Sequence, residues 1–178
     1  MSITEATTTV PAGTWKADPI HSSLGFAVRH MGVTPFRGGF GDFQAALVDR
    51  RLSSTARVES ISTEDETLTG HLLSPDFFDA ERHPELRFDS AEIRRDGDDV
   101  TVVGELTLKG ATRPVELHGT ISGPVSDPYG GSRIGLTLEA TIDRTQFGID
   151  WNTELPSGGT MLSDEVALTA ELELAKAA

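Results

Sequence analysis

The sequence predicts an all-β fold, an extended antiparallel β-barrel of about eight strands with a short helical insert. Three observations support this prediction. Apolar and polar residues alternate along most of the chain, turn-forming residues separate the alternating segments, and only one stretch carries helix signals. Because 178 residues lie within the range of a single hydrophobic core, we expect one barrel domain over 14–178, preceded by a flexible tail over 1–13.

The alternation is clearest near the middle of the chain, where Val102, Leu106 and Leu108 are separated by polar residues. A strand with one dry and one wet face has this period of two. The same pattern occurs in four further segments: 23–29, 115–121, 133–143 and 165–174. It continues through Phe147 and Trp151, so we predict eight to nine strands, with one across 147–151.

Turn residues connect these segments. Residues 95–98, 127–131 and 156–159 combine Gly, Asp, Pro and Ser, which tolerate positive φ or start a turn. Parallel strands would need helical crossovers, which the sequence lacks, so the sheet is expected to be antiparallel. A closed barrel would leave no exposed sheet edge, and a sandwich is the structural alternative. Periodicity alone does not distinguish a filled barrel from a hollow one.

The helix signals lie between 62 and 83. Thr63 with Glu66 forms a capping-box pattern, and Ser74 followed by Pro75 predicts the start of a second short helix. Adjacent aromatic residues follow at Phe77 and Phe78. Because they cannot share one narrow helical face, we expect one to plug the barrel end and the other to pack sideways or border an entrance.

Composition excludes several classes of function. Lys and Arg total 15 and Asp and Glu total 28, a net charge of -13 that disfavours nucleic acid as a partner. No apolar run approaches the roughly 20 residues that span a bilayer. Residues 1–13 lack basic residues and an apolar core, so they do not resemble a secretory signal, and a cytoplasmic location is expected. The absence of cysteine excludes disulfides and zinc-thiolate sites.

No catalytic or metal-binding pattern emerges from the polar residues. The five histidines lack the close spacing that zinc sites favour. Alternation places Asp143 and Asp150 outward, so the Asp143-Arg144 pair is interpreted as an exposed turn. The glycines of segment 37–41 lack the Lys-Ser/Thr ending of a phosphate loop and are interpreted as a bulge or a barrel corner. We therefore predict no catalytic residue, no metal and no cofactor.

Several motifs at consistent separations resemble one protein family. They are DPIHSSLGFAVRHMGV at 18–33, GHLLSPDFFD at 70–79, HPELRFDS at 83–90, GELTLKG at 104–110 followed by RPV at 113–115, and IDRTQFG at 142–148. Over about 14 to 175 the chain resembles the YceI-like, polyisoprenoid-binding proteins. This resemblance implies a lipocalin-like barrel with an elongated apolar cavity that holds an isoprenoid chain, and it implies homodimers.

The chain departs from the family pattern around Gly70. Leu68, Thr69 and Leu73 stand where related sequences commonly carry Arg-Asp and Arg, so two cationic positions are lost. Arg binds pyrophosphate bidentately, and its loss disfavours a charged headgroup. His71 and Arg29 are the nearby candidates that remain.

We therefore predict non-enzymatic binding, carriage or storage of a long-chain isoprenoid or similar apolar lipid. The predicted ligand-binding residues are Phe26, Val28, Phe36, Phe40, His71, Phe77, Phe88, Leu106, Leu136, Phe147 and Trp151. Two alternatives stay open. An enzyme acting on a bound apolar substrate would use His71 or His30, and a ligand-free interaction module would have a filled interior.

Overall fold

The computed structural model describes residues 8–177, and strands account for most of them. The elements, in chain order, are β1 Thr14–Ala17, β2 Ser23–His30, β3 Thr34–Phe40, β4 Phe43–Val48, β5 Arg51–Arg57, β6 Ile61–Ser62, α1 Glu66–Leu73, β7 Glu85–Asp96, β8 Asp99–Leu108, β9 Ala111–Ser126, β10 Ser132–Asp143 and β11 Leu162–Lys176. Two 3₁₀ turns, Val58–Ser60 and Arg144–Phe147, complete them.

The strands form one closed antiparallel sheet. Its order is β1-β4-β5-β7-β8-β9-β10-β11, and β11 pairs back onto β1. β2 also pairs with β11, β3 with β2, and β6 with β3, so that β1/β2, β3/β4 and β5/β6 act as three bent strands. The barrel therefore has eight strands, as the sequence predicts, and the sandwich alternative is excluded.

The tight turns follow the residue chemistry. Between β8 and β9, Lys109 has φ 49° and Gly110 has φ 76°. A two-residue hairpin with positive φ at both positions matches the right-handed twist of its strands. This connection brings β8 and β9 into direct register, from Leu108 opposite Ala111 to Asp99 opposite Thr120.

The glycine-rich segment 37–41 has the predicted corner only at Gly41, and its other two glycines have a different role. Gly38 and Gly39 lie within β3 and pair regularly with β2, so they form neither a bulge nor a corner. A Cβ on Gly38 would lie 2.5 Å from the ring of Phe26, and one on Gly39 would lie 2.9 Å from the carbonyl oxygen of Leu24. Both positions therefore need glycine for close approach, while the bend between β3 and β4 falls at the following residues, 41 and 42.

The helical insert contains one helix rather than two. Asp65 caps α1, since its Oδ1 accepts a hydrogen bond from the Leu68 amide at 2.9 Å, so the predicted capping box of Thr63 and Glu66 is wrong. Ser74 ends this helix instead of starting another, because its hydroxyl donates to the His71 carbonyl at 2.6 Å. The chain from Ser74 to Pro84 continues as turns.

Part of the predicted N-terminal tail lies against the barrel. Residues 1–7 lie outside the described residues. Val10 is buried in the core, and Arg50 Nε donates to its carbonyl at 3.1 Å. Asp49 also donates its amide to the Gly13 carbonyl at 2.9 Å. The barrel therefore holds the segment just before β1, because burying an apolar side chain there offsets the cost of ordering it.

One end of the barrel is filled by side chains. Trp15, Leu47, Val102 and Ile134 are each at most 2% exposed there, alongside Leu174. The short strands β1 and β4 pair with each other at this end. Within 8–177, no helix is long and apolar enough to cross a membrane.

Candidate ligand-binding cavity

The other part of the barrel interior is a cavity of about 550 Å³. Cavities that bind drug-sized molecules have volumes of about 300–1,000 Å³. Most lining side chains are apolar, and the polar ones are His30, Thr34, Ser54, His71, Arg144 and Thr169. Besides the residues predicted from sequence, the wall contains Leu24, Leu52, Leu68, Leu86, Leu108, Val115, Leu117, Leu138, Ile142, Ile149, Met161, Val166, Leu168, Ala170 and Leu172.

The cavity is elongated along β11. Its wall includes Leu162 at the start of this strand and Leu172 near its end. Ten residue steps at about 3.4 Å each correspond to roughly 34 Å along the strand. Leu24 and Phe26 point into this space and are only partly buried, as expected for side chains that face a void rather than a packed neighbour. The shape suits a long chain better than a compact ligand.

Two aromatic groups close the cavity beneath the helical insert. The His71 ring meets Phe77 and Trp151 edge-on, with 4.9 Å between centroids in each pair. On the other side, Phe78 lies 6.3 Å from Phe26 and 5.7 Å from Phe40. Both adjacent phenylalanines line the cavity, where we expected one to plug the barrel end and the other to pack sideways or border an entrance.

The structure brings nine of the eleven predicted residues to the cavity wall: Phe26, Val28, Phe36, Phe40, His71, Phe77, Phe88, Leu106 and Trp151. The other two, Leu136 and Phe147, are buried in the core away from it. Strand periodicity correctly places the inward side chains, but it does not show where along the barrel the filled end gives way to the cavity.

Each of the two misplaced residues has a physical reason. Leu136 faces inward on β10 opposite Ile121, one inward position beyond the cavity-lining Leu138, and so belongs to the filled end. Phe147 lies in the second 3₁₀ turn rather than in a strand. The predicted strand across 147–151 is therefore wrong, and the turn directs this ring into the core.

The polar groups near the insert have partners. His71 Nε2 lies 3.0 Å from Asp76 Oδ2. Arg29 is exposed, and its Nη2 donates to the Gly32 carbonyl at 3.0 Å, outside the cavity wall. Leu68, at a position where the resemblance implied a cation, lines the cavity. Of the two candidates that the sequence left, His71 borders the cavity and Arg29 does not. His30 borders the cavity as well.

The sequence interpretation missed Arg144. It is 4% exposed and borders the cavity, so the predicted exposed turn is wrong for this residue. Its Nε donates to the Ser163 carbonyl at 2.9 Å, and its Nη1 donates to the carbonyls of Ile149 at 2.8 Å and Trp151 at 2.9 Å. Burial lowers the pKa of Arg144, although arginine stays protonated in proteins.

The alternation itself contained the signal for this residue. Ile134, Leu136, Leu138 and Ile142 all face inward on β10, and the same period of two predicts an inward side chain at 144. The prediction followed the outward Asp143 and did not extend the inward series by one step.

Asp18, His21 and Glu173 form a cluster of ligand-type atoms on the outer surface. Arg133 lies among them, with Nη1 2.8 Å from Asp18 Oδ2 and 2.8 Å from Glu173 Oε2. A guanidinium bonded to both carboxylates makes this an ion-pair network.

Comparison with known proteins decides the family. The model of the YceI-like domain matches residues 15–174. The chain belongs to the YceI-like family. A YceI-like relative, UPF0312 protein SA2479 of Staphylococcus aureus strain N315, is 32% identical over 164 residues, which cover 88% of this chain and 94% of the relative.

Solved YceI-like structures share the fold. The YceI protein of Campylobacter jejuni superposes with a TM-score of 0.73 at 26% identity, covering 84% of this chain and 90% of that one. A polyisoprenoid binding domain from Saccharophagus degradans superposes with a TM-score of 0.66 at 13% identity, covering 94% of this chain and 100% of that one. The resemblance noted from the motifs is thus confirmed, and so is the lipocalin-like barrel.

Proposed function

We propose that this protein binds a long-chain isoprenoid or similar apolar lipid inside its barrel and carries or stores it. The elongated, apolar cavity is the observation that supports this proposal most directly. Each methylene moved from water into such a site contributes about 0.8 kcal/mol. A dozen would contribute roughly 10 kcal/mol before the costs of ordering the chain are subtracted.

The family and the fold support the same class of ligand. The polyisoprenoid binding domain of Saccharophagus degradans shares this architecture, and we propose a comparable apolar guest here. The proposed role is non-enzymatic. The cavity wall is mainly apolar, His71 pairs with Asp76, and Arg144 donates to backbone carbonyls. We also propose that the protein is a cytoplasmic homodimer and that it does not bind nucleic acid.

Ala170 offers a direct test of cavity occupancy. It borders the cavity on β11, opposite Leu24 and Leu138 on the neighbouring strands. Ala170→Trp would place an indole in the space that the lipid needs. We expect the dissociation constant for a long-chain polyprenol to rise at least about tenfold, while the barrel stays folded.

Ala167→Trp is the matched control. Ala167 is exposed on the outer face of the same strand, so the same substitution leaves the cavity unchanged. Polyprenol binding is measured by titration, and folding by circular dichroism and melting. Wild-type affinity in a folded Ala170→Trp protein would show that the ligand binds elsewhere, and no polyprenol binding to the wild-type protein would refute the proposed function.

A further inference from the structure

The guanidinium of Arg144 is incompletely satisfied. Its Nε and Nη1 donate to three backbone carbonyls, which fix the group rigidly between the start of β11 and the loop before it. Its Nη2 is buried and has no hydrogen-bond partner among the described residues. The nearest carboxylate oxygen, Asp164 Oδ1, lies 3.9 Å from Nη2, beyond hydrogen-bond range, on a largely exposed side chain.

A buried donor without a partner is rare in native proteins, and it calls for an acceptor. Arg144 also borders the cavity, so an acceptor on a bound ligand can supply that partner once the groups that cover Nη2 move aside. The three bonds to the backbone hold the remaining nitrogen in place, which lowers the entropy that a ligand must lose to bind it. The structure therefore presents a donor group with one unpaired nitrogen in a wall that is mainly apolar.

The surrounding charge selects the kind of acceptor. The carboxylates of Asp164, Asp150 and Asp143 all act electrostatically on the guanidinium. Asp164 Oδ1, 3.9 Å from Nη2, is the carboxylate oxygen nearest to this charge, and the three carboxylates outnumber the single guanidinium. An anionic headgroup would therefore face net repulsion, whereas a neutral oxygen gains a charge-assisted hydrogen bond without it.

We propose that Arg144 anchors the polar end of the ligand, and that this end is a neutral, oxygen-bearing head such as an alcohol, a carbonyl or a primary amide. The proposal rests on the proposed function, because it needs a chain in the cavity. Arg144 lies at the Leu162 end of β11, where its Nε binds the Ser163 carbonyl. The apolar tail then extends along β11 towards Leu172, up to the filled end of the barrel.

The test compares ligands of equal chain length that differ in their heads: an alkane, an alcohol, a primary amide and a pyrophosphate. For the wild-type protein, we expect the alcohol and the amide to bind at least about tenfold more tightly than the alkane, as for a hydrogen bond to a charged group. We expect the pyrophosphate to bind more weakly than either. Arg144→Met should bring alcohol, amide and alkane to within about twofold of one another.

Arg29→Met is the matched control, because Arg29 is an exposed arginine on the nearby strand β2 whose Nη2 bonds to hairpin carbonyls. We expect it to retain the wild-type order of affinities. If the pyrophosphate binds most tightly to the wild-type protein and Arg29→Met abolishes that preference, the headgroup site belongs to Arg29 and the inference is wrong.

A second measurement avoids dependence on the folding of Arg144→Met. In the wild-type protein, the infrared carbonyl band of a bound ¹³C-labelled amide should be shifted to lower frequency than in dry hydrocarbon. A band at the hydrocarbon position would overturn the inference. Equal wild-type affinity for headed and headless ligands would overturn it too, while leaving lipid binding intact. Failure of every ligand to bind would instead refute the proposed function.

Discussion

Trp151 shows how individual side chains shape the cavity. It follows the second 3₁₀ turn and lies outside any strand. Its indole packs against two other rings in the wall, with ring-centroid distances of 4.9 Å to His71 and 5.3 Å to Phe77. Its carbonyl also accepts a hydrogen bond from Arg144. An indole held in this way touches the cavity on one side and protein on the others, so its surroundings change when the cavity fills.

We therefore expect Trp151 to report ligand entry. The chain has two tryptophans, and Trp15 is 2% exposed in the filled end. In a Trp15→Phe protein, titration with a polyprenol should change the remaining indole emission, because Trp151 passes from a partly wet to a dry environment. A Trp151→Phe protein should show no change while still binding. Unchanged emission of Trp15→Phe at saturating ligand, with binding shown by calorimetry, would place the lipid away from this wall.

At the scale of elements, the break between β1 and β2 is tied to β11. Both strands pair with β11, and the intervening chain bonds to Glu173 through the Asp18 amide at 2.8 Å. The side chains add an ion-pair network. A hydrogen bond with Asp18 raises the pKa of His21, and the same bond, followed by that from Arg133, holds the pKa of Asp18 far below its usual range.

This network predicts a pH dependence of stability. The raised pKa of His21 stabilises the fold fully below its ordinary value of 6.5, and that contribution is lost as pH rises through the folded-state pKa. The lowered pKa of Asp18 contributes above 3.8 and is lost in acid. Thermal unfolding from pH 5.5 to 8.5 should therefore show a larger decrease in stability for the wild-type protein than for His21→Gln. Parallel curves would contradict the assignment.

The strands could be predicted from sequence because alternation and turn residues are local properties. β8 and β10 lie where Val102 and Ile142 indicated them. The segment after Ile142 could not be predicted from sequence. Its turn depends on a hydrogen bond from the Thr145 amide to the Asp143 side chain and on Gly148 at φ 73°. The capping of α1 by Asp65 rather than Thr63 likewise depends on how the chain leaves β6. Side-chain direction in such segments is set by three-dimensional context.

At the scale of the whole molecule, one barrel combines two kinds of interior. Core side chains such as Trp15 and Leu136 fill the end where β1 and β4 close the sheet, while β2, β3 and the helical insert surround the cavity at the other. Periodicity is the same in both halves, since β11 contributes Leu174 to the core and Leu168 to the cavity. A hollow interior therefore could not be inferred from alternation, and the family resemblance supplied that expectation.

Organic extraction of the purified protein followed by mass spectrometry tests lipid binding most directly. An apolar cavity of this size is expected to retain a chain from the host cell. We predict a long-chain lipid with a neutral, oxygen-bearing head in extracts of the wild-type protein, and markedly less in extracts of Ala170→Trp prepared in parallel. Wild-type extracts with no more lipid than those of Ala170→Trp would contradict the assignment of this barrel as a lipid carrier.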